Sequence, residues 1–308
     1  MPFLSNLTLP RPLGMLRYLA ARLMPWRRSF RASAQSNLVF NVTAGDVIGR
    51  YIAKYGVHEP LLTRWIGDFL AAAPRGIVVD VGANLGWHTL HAARHDNVES
   101  VMAFEPDAFN AWLLERNLAE NGIENVIVDT RAVGAATGIA KLYRYKSTNY
   151  GRHSLATDHG FGSRNVLVTD LDGALAAAGF GSGAISLIKI DVEGYEPAVI
   201  AGAKETLKRA AALIVEYSPD ASTAAGLSAT GLLTDLQAAG FAPYMLLSTG
   251  GVVPIRNEEL GEFSGTVDVI FVKTARRAEL SKGINERPRG SLTVKEMADC
   301  NGKVKKPI

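Results

Sequence analysis

Four groups of charged residues stand where a folded chain can do chemistry. The first follows an apolar run: Ile77-Val78-Val79-Asp80-Val81 leads into Gly82-Ala83-Asn84-Leu85-Gly86. A glycine-bearing turn between a strand and a helix lets backbone approach a ligand and leaves the free amides of a helix N-terminus behind it. The second is Glu105, directly after the run Val101 to Phe104 and 25 positions beyond Asp80, where a carboxylate can accept both hydroxyls of a ribose. The third is Asp129-Thr130-Arg131-Ala132-Val133 after Val126 to Val128, a place to hold an adenine edge. The fourth is Leu187-Ile188-Lys189-Ile190-Asp191-Val192-Glu193-Gly194-Tyr195-Glu196. It gathers ionisable groups at the end of an apolar strand, where open α/β sheets bind their ligands. Lys189 lies within that apolar run. A buried ammonium is costly unless paired, so it is expected to meet Asp191, Glu216 or a ligand.

These groups need a scaffold, and the sequence supplies one by alternating apolar runs with helical patterns, the signature of a doubly wound parallel sheet. Strands are expected at 77–81, 101–104, 126–128, 185–190 and 212–216, with helices starting near Trp87, capped by Asp107, and across 195–208 and 229–239. Stretch 138–170 is less regular. Tyr244 to Leu247 and Val267 to Val272, separated by a glycine-rich loop, read as a closing antiparallel hairpin. The turn spacing is G-x-x-x-G rather than G-x-G-x-x-G, with Asn84 where a dinucleotide fold admits the pyrophosphate. That disfavours a nicotinamide dehydrogenase.

Composition bounds the alternatives. With 308 residues, 47% hydrophobic and 20% charged, the chain can bury a sizeable core. No apolar run approaches the roughly 18 residues of a membrane span, and Arg17 and Arg22 interrupt any signal-like core. The single cysteine, Cys300, rules out an internal disulfide or a cysteine-rich zinc site and favours a cytoplasmic setting. The net charge of +3 hides an asymmetry. Residues 1–35 carry six arginines and no acid, residues 275–308 carry nine basic and four acidic side chains, and the body between has 18 basic and 26 acidic ones. The body is therefore not a nucleic-acid surface. In the first segment, Leu13, Leu16, Ala20, Leu23 and Met24 fall at helical spacing among arginines. Residues 12–31 thus read as a basic amphipathic segment for peripheral membrane contact, a helix packed on the body, or a transit peptide. From about Pro288 onward the chain is polar, basic and without periodicity, as expected of a disordered tail.

The blocks DVGANLGWHTL, AFEPDAFNAWLLERNLAENG, TDLDGAL and LIKIDVEGYEPAVIAGAKETL, in this order, resemble the FkbM family of S-adenosylmethionine-dependent methyltransferases. His58-Glu59-Pro60 is similar to that family's short block before the core. The resemblance runs from about Asp46 to Val272 and implies a Rossmann-like class I α/β fold, with a seven-stranded, mostly parallel sheet ending in an antiparallel hairpin. It implies a domain at 41–274, flanked by a basic amphipathic segment (1–40) and a basic tail (275–308). Carried over residue by residue, Asp80, Gly82, Ala83, Asn84 and Gly86 would lie along the methionine half of S-adenosylmethionine. Glu105 would take the ribose hydroxyls beside Pro106 and Asp107, and Asp129, Arg131 and Ala132 would flank the adenine. Asp191 and Glu193 would line the methyl-transfer cleft, under an insertion formed by Asn149, Gly151, His153, Ser154 and Leu155.

The implied reaction is O-methylation of a sugar, glycan or secondary-metabolite hydroxyl. His153 is the natural general base, with Asp191 or Glu193 orienting it or acting alone. His88 and His91, at i and i+3, read as helix-face residues, and no metal is expected. Two other readings stay open. One is a methyltransferase of nucleic acid or protein, against which stands the lack of an Asn/Asp-Pro-Pro-aromatic block, Glu216-Tyr217-Ser218-Pro219 being different. The other is a non-catalytic module docked to a membrane through its N-terminus. The sequence does not specify an oligomeric state.

Overall fold

The computed structural model describes residues 11–23, 29–145 and 152–276. Asn149, Gly151, Cys300 and nearly all of the expected tail lie outside these residues. The elements are α1 (Pro12–Arg22), β1 (Phe30–Ser33), β2 (Val39–Val42), α2 (Val47–Tyr55), α3 (Pro60–Ala72), β3 (Gly76–Val81), α4 (Trp87–Ala93), β4 (Val98–Phe104), α5 (Ala108–Glu120) and β5 (Val126–Asp129). There follow β6 (Ala132–Val133), β7 (Gly138–Tyr143), β8 (Ser163–Thr169), α6 (Leu171–Ala177), β9 (Ile185–Ile190), α7 (Glu196–Ala201), α8 (Lys204–Arg209) and β10 (Ala210–Tyr217). The chain continues through α9 (Pro219–Ala224), α10 (Ala229–Ala238), β11 (Phe241–Leu246), β12 (Val252–Pro254), α11 (Asn257–Gly261) and β13 (Val267–Lys273).

The main sheet runs in the order β12-β11-β13-β10-β9-β3-β4-β5. Strands β10, β9, β3, β4 and β5 are mutually parallel, and β13 is antiparallel to both β10 and β11. The central strands are buried along their whole length and largely apolar because both faces are covered, as parallel sheets require. One layer packs Ile188, Ile190 and Leu213 against Leu171, Val199 and Leu232. The other packs Val78, Leu187 and Ile214 against Trp65, Ile66 and Phe69.

The sheet has eight strands rather than the expected seven. The glycine-rich loop after β11 folds back on itself: Leu247 N–H donates to Gly251 O and Gly250 N–H to Leu247 O, both at 2.8 Å, which pairs Leu246 with Val252 and adds β12 at the edge. The helix expected over 195–208 is two helices, α7 and α8. At the break, a Cβ on Gly202 would lie 2.1 Å from Gly134 O, and Gly202 O accepts the amides of Leu171 and Asp172. The stretch 138–170 contributes β7 and β8, an antiparallel pair joined by β6 in a small second sheet. The 40/41 boundary falls inside β2, whose Phe40 and Val42 share a core with Leu85, Trp87 and Leu114.

Candidate active site

The strand order reverses at β3, with β4 on one side and β9 on the other. In a doubly wound sheet such a point opens a crevice at the carboxyl ends of the strands. Register brings the four sequence groups into it. Val81 pairs with both Phe104 and Ile190, and Phe104 pairs with Asp129. Gly82, Glu105 and Asp191 therefore leave the sheet at one level.

Glu105 is 6% exposed. Its Oε2 accepts the Asn84 amide at 2.8 Å and its Oε1 accepts the Asp107 amide at 2.7 Å. Burial pushes its carboxyl up to about 8, against the pull of these two amides. Asn84 sits in the left-handed region at φ 52°; its own Oδ1 accepts the Leu85 amide, which makes asparagine a suitable residue for this turn. Gly82, at φ 86°, is required twice over, because a Cβ there would also lie 2.0 Å from Asp191 O. The glycine serves the close approach of two strand ends. Gly86, at φ 91°, similarly makes room for Leu114.

Asp129 lies at the end of β5 and is bound by Arg131, whose Nε stands 2.9 and 3.1 Å from its two oxygens. Asp80 Oδ2 accepts the Thr89 hydroxyl at 2.6 Å, while its buried Oδ1 has no hydrogen-bond partner among the described residues.

The loop after β9 is tightly built. Glu193 and Gly194 have φ of 53° and 103°, and the buried Glu196 clamps the turn by accepting the amides of Val192 and Gly194 at 3.0 and 3.1 Å. Burial raises the Glu196 carboxyl to about 8. Lys189 meets Asp191 at 3.0 Å, the first of its expected partners. Burial alone would lower its ammonium, but Asp191, Asp80 and Glu59 outweigh that and hold it above the ordinary lysine range. Arg152 Nε reaches both oxygens of Glu193 at 3.2 Å. Ser154 donates its hydroxyl to Glu193 O at 2.7 Å, tying 152–157 over the loop.

Two cavities meet along this line. The first is lined by Phe104, Glu105, Pro106, Ala132, Val133 and His153. The second is lined by Glu59, Asp80, His88, Lys189, Glu193 and Glu216. Gly82, Asn84 and Asp191 line both. His153 belongs to the first cavity. Its Nδ1 accepts the Tyr145 amide at 3.0 Å, so the ring turns an N–H, not a lone pair, toward Asp107 Oδ2 at 3.8 Å. Burial lowers its pKa, Asp107 opposing.

Several residues of the site escape sequence reasoning. His88 is buried rather than lying on an open helix face, and its Nε2 stands 3.0 Å from Glu59 Oε2. Glu59 holds this position in a left-handed conformation, φ 44°, immediately before a proline. Such a backbone costs on the order of 1–3 kcal/mol and persists only where surrounding structure fixes it. Arg152 carries no motif, whereas Glu216, expected from the sequence as a partner for Lys189, lines the same cavity as that residue. The only available signal was the His58-Glu59-Pro60 block. Oxygens of Asp191, Glu193 and Glu216 lie within 4.8 Å of one another, a spacing that suits a cation. Lys189 and Arg152 already answer Asp191 and Glu193 as ion pairs.

The residues suit S-adenosylmethionine. A buried carboxylate at a strand end beside apolar walls matches an adenosine, and the orphan Oδ1 of Asp80 matches an ammonium. The family model of the methyltransferase FkbM domain matches residues 80–242, more than half of the chain. The chain belongs to the FkbM methyltransferase family. It is an S-adenosylmethionine-dependent methyltransferase. No curated protein matches the sequence. Among solved structures it is similar to an rRNA methylase from Streptococcus thermophilus, at 16% identity over 70% of this chain and 98% of that one, TM-score 0.38. It is similar also to M. jannaschii TYW2 in complex with AdoMet, at 11% identity over 80% and 87%, TM-score 0.39. A third is a SAM-dependent O-methyltransferase from Thermotoga maritima, at 15% identity over 72% and 68%, TM-score 0.37. These likenesses are distant.

Proposed function

We propose that this FkbM methyltransferase O-methylates a small hydroxylated acceptor, a sugar, glycan or secondary metabolite, with cofactor and acceptor on opposite sides of Asp191. The observation that carries this reading is the pair of cavities meeting at Gly82, Asn84 and Asp191. In this proposal the catalytic unit spans about residues 41–274. Asp80, Gly82, Ala83, Asn84 and Gly86 hold the methionine half of the cofactor, Glu105 and Pro106 the ribose, and Asp129, Arg131 and Ala132 the adenine.

S-adenosylmethionine supplies a methyl group already activated by its sulfonium. The protein's own task is then alignment and proton removal. Asp191 is the proposed proton acceptor for the acceptor hydroxyl, because it lines both cavities. Glu193, held by Arg152, orients the acceptor. His153, with its lone pair engaged by Tyr145, acts as a hydrogen-bond donor on the cofactor side and not as the base. The segment 152–157 shields the cleft from water.

Calorimetric titration with S-adenosylhomocysteine, on the native chain and on Glu105→Ala, tests the cofactor site; micromolar binding lost in the variant is expected. Transfer of label from S-adenosylmethionine to a panel of sugars, glycans and phenolic metabolites tests the acceptor class. Label appearing only in RNA, DNA or protein would overturn it.

A further inference from the structure

Helix α1 carries its apolar face on the outside. At about 100° per residue, Gly14, Tyr18 and Ala21 fall on one side, and Leu13, Leu16, Leu19, Ala20 and Leu23 on the opposite one. The first side is the one that packs. A Cβ on Gly14 would lie 2.1 Å from Ala53 O, Tyr18 is buried under the Lys54 ammonium, 4.5 Å from its ring centre, and Arg11 N–H donates to Lys54 O at 2.7 Å. The helix is thereby fixed to α2 in one rotational setting. In that setting Leu13, Leu16, Leu19 and Leu23 are 61%, 64%, 51% and 79% exposed.

Scattered exposed leucines are ordinary, but three in one stripe on an eleven-residue helix, continued by Leu23 at its C-cap, form a patch that needs an occupant. Charge says which one. A groove beside α1 is lined by Arg17, Arg31 and Arg116, with serines and Asn41 and no acid. Residues 1–35 as a whole hold six arginines and no acidic residue. An apolar stripe bordered by arginines fits an interface whose interior is hydrocarbon and whose surface is anionic. A second copy of the chain fits poorly. A self-complementary contact through this stripe would bring the bordering arginines of two molecules together, and four leucines fall well short of the roughly 800 Å² per partner of a stable interface. Among the described residues no helix is long and apolar enough to cross a membrane.

We infer that α1 is a peripheral docking element for anionic phospholipid bilayers: its leucine stripe enters the headgroup boundary while Arg17, Arg22 and Arg116 face lipid phosphates. The inference does not depend on the acceptor or on the cofactor assignment.

Sedimentation of the full chain with vesicles tests it. Vesicles of phosphatidylcholine with phosphatidylglycerol should pull the protein down, and vesicles of phosphatidylcholine alone should not. The double variant Leu16→Ser, Leu23→Ser should partition at least about tenfold more weakly. Arg17→Gln with Arg116→Gln should weaken binding by about 25-fold, each cation being worth about fivefold at an anionic surface. Both changes lie at the surface, and thermal unfolding close to that of the native chain would show that the fold is kept. Absence of binding to the anionic vesicles would overturn the inference. So would equal binding by the leucine variant, which would leave charge alone as the cause. Concentration-dependent dimers that vanish in the leucine variant, without vesicle binding, would assign the stripe to a second copy instead.

Discussion

Replacing Glu105 with glutamine separates what this residue does for stability from what it does for binding. In the folded chain burial raises its carboxyl to about 8, while an unfolded glutamate titrates near 4.5. The sign follows from proton linkage. Because the folded form holds its proton to higher pH, the associated stability is fully present below about 4.5 and is lost as pH rises through about 8. The slope in between is about 1.4 kcal/mol per pH unit, so from about pH 5.5 to about pH 8.5 the native chain loses about 3 kcal/mol through this one group. Glutamine is nearly isosteric with the protonated acid and does not titrate. Its amide nitrogen would face one of the two backbone N–H groups that Glu105 accepts, a constant loss of about 1–3 kcal/mol, so Glu105→Gln should be weaker than the native chain near pH 5.5 and the difference should move in the variant's favour by about 3 kcal/mol toward pH 8.5. Glu196, also raised, contributes equally to both proteins and cancels in the difference. The same variant should lose S-adenosylhomocysteine binding, since its amide nitrogen cannot accept a ribose hydroxyl as the carboxyl oxygen in that place can. Urea unfolding at several pH values, followed by calorimetry on the same samples, reads both effects. A difference between native chain and variant that stays constant across this pH range would show that Glu105 ionises as an ordinary carboxylate and would refute the reasoning.

Other changes probe the neighbouring parts. Gly82→Ala combines a left-handed φ with a Cβ 2.0 Å from Asp191 O, and should cost about 2 kcal/mol or more in unfolding free energy. Lys189→Met strips the buried partner from Asp191 and should destabilise by about 3–5 kcal/mol; adding Asp191→Asn should restore much of the loss in a double-mutant cycle. Glu196→Ala orphans the amides of Val192 and Gly194 and should cost roughly 2–4 kcal/mol, with a larger KM for the methyl acceptor as the loop loosens. Asp191→Asn should lower kcat by about 10²–10⁴ if Asp191 takes the proton, and steady-state kinetics with unaltered cofactor affinity would distinguish this from a binding defect.

The parts of the fold legible in sequence were those with one dominant signal. The apolar runs 77–81 and 185–190 became central strands because burial on both faces leaves no other composition workable. Asp107 was readable as a cap, and it accepts the amides of Phe109 and Asn110. What failed depended on distant contacts. The β7–β8 pair has an exposed outer face, with Ile139 and Leu167 turned to solvent, and hence no clear alternation. The break between α7 and α8 is set by the carbonyl of Gly134, more than sixty residues away. Glu59 reaches His88 across 29 positions and no local pattern announces it. Lys189 shows the intermediate case: its need for a partner is plain from the sequence, and its choice of Asp191 is made by the fold.

The site is a property of strand register more than of any one motif. Against both β4 and β9, the single irregularity of β3 lies at its N-terminal end, before Val78, and pairing is uninterrupted from there to Val81. That placement keeps the correction away from the chemistry. A slip of one residue along β9 would exchange its faces, sending the Lys189 ammonium into the layer now filled by Ile188 and Ile190 and withdrawing it from Asp80 on the neighbouring strand. It would also misalign Asp191 O with Gly82, where no Cβ can fit. The absence of a side chain at 82, the left-handed Asn84 and the two amides held by Glu105 thus enforce one another. A substitution that disturbs any one of them should be felt at the others before it is felt in the sheet, because the turn has far fewer hydrogen bonds to lose than the strands behind it.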